Sequence, residues 1–69
     1  MRTLYTLVDS GGQLAMCTVQ QLDGKWELTL RRGKGILLTE HHPAEAAALA
    51  RAGEIRTALT GVGWRLRER

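Results

Sequence analysis

Apolar and polar positions alternate with two different periods along this chain, and the change of period divides it. From Thr3 to Val8 the residues are β-branched, aromatic or aliphatic, which predicts a strand. Ser10-Gly11-Gly12 follows, where glycines permit the positive φ angles of a tight hairpin. A second strand is expected from Gln13 to Leu22, then a type I′ turn at Asp23-Gly24. The third, Lys25 to Arg31, alternates cleanly, with Trp26, Leu28 and Leu30 on one face and Lys25, Glu27, Thr29 and Arg31 on the other. Gly33-Lys34-Gly35 forms a third turn before a short strand, Ile36 to Thr39.

Beyond Pro43 the period becomes helical. Ala44, Ala48, Ala52, Ile55 and Leu59 recur at steps of three and four and make one apolar stripe. Pro43 and Glu45 suit a first helical turn, and Gly61 suits a C-terminal cap. Gly53 lies inside the stripe and either divides the helix or bends it. Val62, Trp64 and Leu66 then alternate with Gly63, Arg65 and Arg67, as in a short closing strand. The fold class is therefore α+β: an antiparallel meander of about four strands with one C-terminal helix on one face, and a short fifth strand.

Register follows from the turns. A two-residue turn at Asp23-Gly24 sets Val19, Cys17 and Ala15 beside Leu28, Leu30 and Arg32. A two-residue turn at Gly11-Gly12 would add Val8, Thr6 and Leu4 to that helix-covered face. Tyr5, Leu7, Leu14 and Met16 would then lie on the outer face, as an apolar patch of the kind that marks interaction sites. A one-residue slip would turn Tyr5 and Leu7 inward.

With 69 residues, 1–69 is a single domain close to the lower size limit for folding on burial alone, so self-association or a partner would add stability. The single cysteine, Cys17, cannot form an internal disulfide and points to a reducing compartment. With no apolar leader and no membrane-length run, the expected location is cytoplasmic. Net charge is +3, with ten Lys and Arg against seven Asp and Glu. Eight of the ten cations are Arg, Ala is abundant and Asn is absent, a bias that G+C-rich bacterial or phage codons produce.

Candidate chemistry is sparse. His41-His42 are adjacent and project apart, whereas a metal needs three or four converging ligands. Cys17 falls on the core face, where it acts as a small hydrophobe. The carboxylates are scattered among turns and cations, and no glycine run has the spacing of a phosphate loop. No cofactor, metal site or catalytic set emerges, so the expectation is a binding module and not an enzyme.

The basic residues are better organised: Arg31, Arg32 and Lys34 sit at the third turn, and Arg65, Arg67 and Arg69 alternate at the C-terminus. If the last strand pairs near the third turn, they form one basic patch beside Tyr5, suited to single-stranded nucleic acid held by phosphate contacts and stacking. The element order resembles that of single-stranded DNA-binding modules of the transcription-cofactor and purine-rich-element-binding type. It also resembles that of sheet-plus-helix DNA readers in plant transcription factors and phage integrases; both likenesses imply nucleic-acid binding by fold analogy. The alternative is a protein-binding inhibitor or adaptor from a phage or mobile element, of the anti-CRISPR kind, anchored by Tyr5, Leu7, Leu14 and Met16. A homodimer through the outer face or a strand edge fits either partner.

Overall fold

The computed structural model describes residues 1–67. Its elements are β1 (Arg2–Val8), β2 (Leu14–Leu22), β3 (Lys25–Arg32), β4 (Gly35–His42), α1 (Glu45–Thr60) and β5 (Arg65–Leu66). All strand pairs are antiparallel, in the order β4-β3-β2-β1-β5. The architecture is the α+β sheet-plus-helix expected, with one helix on one face.

The central hairpin has the register its turn dictates. Asp23 and Gly24 both take positive φ, 51° and 76°, and Leu22 pairs with Lys25, Val19 with Leu28 and Cys17 with Leu30. The first hairpin differs from expectation. Its loop is five residues, Asp9–Gln13, and not the two glycines alone, because the Asp9 side chain organises it. Asp9 Oδ1 accepts hydrogen bonds from the Gly11 and Gln13 N–H groups, each at 2.9 Å, and Asp9 N–H donates to the Gln13 carbonyl at 3.0 Å. Val8 therefore pairs with Leu14, Leu7 with Ala15 and Tyr5 with Cys17. That is the one-residue slip, and it turns Leu7 and Tyr5 to the helix side. A register shift between Thr3 and Tyr5 brings Leu4 against the core as well.

Strand β4 runs farther than its apolar segment implied. Pairing with β3 continues through Glu27–His41 and Trp26–His42, so both histidines belong to the strand. The extra length brings β4 to the helix start, where Ala44 is the N-cap.

Helix α1 is continuous through Gly53. Its 16 residues rise about 24 Å at 1.5 Å each, enough to cross the four inter-strand gaps of the sheet at about 4.8 Å apiece. The helix thereby carries the chain from the β4 edge to the opposite edge, where β5 pairs with β1 as Leu7–Leu66 and Val8–Arg65. Gly63, at φ 108°, makes the reversal between them.

The core is Leu7, Ala15, Cys17, Val19, Leu28 and Leu30 from the sheet against Ala48, Ala52 and Ile55 from the helix. Alanines on both sides let helix and sheet approach closely. Leu59, Trp26, Leu38 and Trp64 close its margins.

A Cβ added at Gly53 meets no atom within 4 Å, and the residue sits in an uninterrupted helix. Gly53→Ala is therefore expected to stabilise the fold by about 1 kcal/mol, raising Tm by roughly 4–8 °C. Thermal unfolding followed by circular dichroism reads this directly. A fall in Tm would mean the helix needs the glycine's freedom.

Candidate functional site

Strand alternation sorts neighbouring chemical groups onto opposite faces. His41 faces outward and bonds Glu27 at 3.1 Å, while Gln20 Nε2 donates to the other Glu27 oxygen at 2.9 Å. Those contacts, the Gln20 hydrogen bond first, hold the Glu27 carboxyl below the usual range. His42 turns to the helix side and bonds Glu40 at 3.0 Å. Glu40 also accepts from Arg51 Nε through both oxygens, each at 3.1 Å, and Arg51 reaches on to Glu54 at 3.3 Å. Partial burial pushes the Glu40 carboxyl up, but hydrogen bonds from His42 and Arg51 and the Arg51 charge outweigh it and hold the group low. This cluster ties β4 to α1. No group of three or more His, Cys, Asp and Glu side chains able to hold a metal occurs among the described residues.

Tyr5 and Leu7 leave the binding surface. Leu7 is fully buried, and the Tyr5 hydroxyl donates to the Ala52 carbonyl of α1 at 2.7 Å. Burial pushes both the Tyr5 phenol and the Cys17 thiol up, so both stay protonated at neutral pH. Cys17 is fully buried, as a core residue and not a nucleophile would be.

Arg32 also departs. It pairs with Ala15 on the helix-covered side, its guanidinium lies 5.9 Å from the Trp64 ring centroid, and its Nε donates to Gln13 at 2.8 Å. Lys34 stands exposed in the two-residue turn between β3 and β4.

The other candidates converge on the outer face. Met16 pairs with Thr6 on one side and Arg31 on the other. Arg67 N–H donates to the Thr6 carbonyl at 2.9 Å, which continues β5 along β1. Thr6, Leu14, Met16, Arg31, Gly33 and Arg67 line a shallow depression of about 220 Å³. Arg65, paired with Val8, stands beside it on the same face. The two arginine groups, at the third turn and the C-terminus, thus meet across β2 and β1 and not by direct strand pairing. Arg69 lies outside the described residues.

Sequence reasoning missed Thr6 and Gly33. Thr6 needed the slipped register, and Gly33 reaches the depression because its N–H bonds the Leu14 carbonyl at 3.3 Å. Leu14 and Ile36 add exposed apolar surface at this end, at 39% and 56% exposure. Among the described residues, no carboxylate lines the depression. Asp9, in the adjoining loop, has its carboxylate engaged by two backbone N–H groups.

Two outcomes follow from these contacts. Removing the Tyr5 hydroxyl in Tyr5→Phe is expected to cost about 1 kcal/mol in urea unfolding while leaving any outer-face binding intact, since the ring lies on the other side. The Glu40 carboxyl is held below the ordinary glutamate value of 4.5, so its contribution is present above that pH and lost as pH falls through the lower folded value. Urea midpoints measured from pH 7 to pH 3 should fall less steeply for Glu40→Gln than for the parent. Parallel curves would show that Glu40 does not couple protonation to folding.

No helix among the described residues is long and apolar enough to cross a membrane. No family model, curated protein or solved structure matches this chain.

Proposed function

We propose that the chain is a non-catalytic binding module that holds nucleic acid against the outer sheet face, at the end bearing Arg31, Arg65 and Arg67. The observation that carries this reading is the meeting of Arg31 and Arg67 in one depression that no carboxylate among the described residues lines. Neither arginine makes an ion pair among the described residues. Guanidiniums in that setting bind phosphate oxygens through paired N–H groups and release condensed counterions as they do so. The net charge of +3 adds long-range attraction of the same sign.

A second reading has its own support. Exposed Leu14 and Ile36 beside Met16 make an apolar floor with an arginine rim, a composition common at protein interfaces. In that case the partner is an acidic protein surface, Met16 is the anchor, and the arginines act mainly on the association rate.

Fluorescence anisotropy of labelled oligonucleotides at several salt concentrations separates the two. The nucleic-acid reading expects affinity to fall steeply with salt, and Arg31→Glu with Arg67→Glu to weaken binding by about tenfold or more. Arg32→Glu, altered on the other face, should change affinity much less. Absence of binding near 50 mM salt, or equal losses from all three reversals, would sink the nucleic-acid reading. A protein captured from cells by the parent chain but not by Met16→Asp would then favour the second.

A further inference from the structure

We infer, resting on the nucleic-acid reading above, that the ligand of the outer face is a duplex and not a single strand. Binding of single strands draws much of its affinity from bases stacked on aromatic rings, about 1–3 kcal/mol per base. This chain has three aromatic residues, Tyr5, Trp26 and Trp64. All three pack against the core. Tyr5 is held there by its hydrogen bond to Ala52, and Trp64 lies beneath the Arg32 guanidinium. None of them lines the depression.

What the outer face does offer is fixed positive charge on a rigid sheet. Arg31 stands on β3, an inner strand of the sheet, and Arg67 continues β5 with its N–H bonded to Thr6. A duplex presents one phosphate charge per about 1.7 Å of axis, already ordered by its own stacking. It therefore needs only phosphate and groove contacts from the protein. A flexible single strand would lose conformational freedom on binding with no stacking to offset the loss.

The footprint has a boundary. Glu27 lies four residues before Arg31 on the same face of β3, where it is bonded to Gln20 and His41. Its negative charge opposes phosphate contact around that position. Contact is thus confined to the end formed by Met16, Arg31, Arg65, Arg67 and the exposed turn at Lys34. Leu14 and Met16 between the arginines are apolar, as side chains meeting thymine methyl groups or sugars are.

The test uses a fluorescein-labelled duplex about 20 base pairs long and each of its two separate strands, in the same buffer near 50 mM salt. The duplex is expected to bind about tenfold tighter than either strand, with log K falling against log salt at a slope of roughly −2.7 for three phosphate contacts. Arg31→Gln and Arg67→Gln should each reduce that slope by about one. Both changes are on exposed or half-exposed side chains, and circular dichroism of each variant checks that it remains folded. Single strands bound as tightly as the duplex, or tighter, would overturn the inference and leave the nucleic-acid reading standing. No binding of duplex or strands would overturn that reading itself.

Discussion

Two backbone N–H groups, those of Gly11 and Gln13, converge on one carboxylate oxygen of Asp9, and the placement of β1 follows from that convergence. The loop they close has five residues, which brings Leu7 opposite Ala15 and Tyr5 opposite Cys17. Side chains alternate with a period of two, so a shift of one residue moves every side chain of β1 to the other face. Leu7 becomes core, and the Tyr5 hydroxyl comes within reach of a helix carbonyl. Thr6 and Val8 go outward, where Thr6 joins Met16 at the depression. The face left for binding is aliphatic and basic, with no aromatic ring, because of that one loop.

The same face owes its charge to the helix. A chain of this size has a thin core, and Ala48 and Ala52 let α1 lie close to a sheet whose central residues are small or aliphatic. The helix is long enough to cross the sheet, so the residues after it reach β1 and not the nearer β4 edge. Arg67 thereby arrives at the same depression as Arg31 through β5, with β2 and β1 between their strands in the sheet order. The Glu40–Arg51 contact fastens the start of that crossing to β4, and Arg2–Glu45, at 3.7 Å, is a looser second tie. Exposed ion pairs are individually weak, so burial of the alanine stripe does most of the holding.

Alternation also explains why adjacent residues of one type take different roles. Arg31 opens onto the outer depression while Arg32 covers Trp64. His41 bonds Glu27 outside, and His42 bonds Glu40 beside the helix. A cluster of like residues in the sequence is therefore a poor guide to a cluster in space when it lies on a strand. Of the basic group at the third turn, Arg31 alone reaches the depression.

Much of the fold was legible because it rests on local chemistry. Asp23-Gly24 permits one turn type and hence one register, and the stripe from Ala48 to Leu59 identifies a helix face without reference to anything else. Four strands followed by a helix, and an arginine-bearing outer face, could be read from those patterns. The first hairpin could not, since Ser10-Gly11-Gly12 tolerates loops of several lengths and the choice came from a side chain just before them. Nor could the extent of β4, whose last residues are polar and became strand only because Trp26 and Glu27 extend the pairing. Whether Gly53 would break α1 was settled by the sheet beneath it, which holds the helix on both sides of the glycine through Ala48, Ala52 and Ile55. The meeting of Arg31 with Arg67 depends on helix length, strand order and β1 register together. Residue types and their spacing carry the local preferences, whereas convergence of distant side chains is a property of the packed chain.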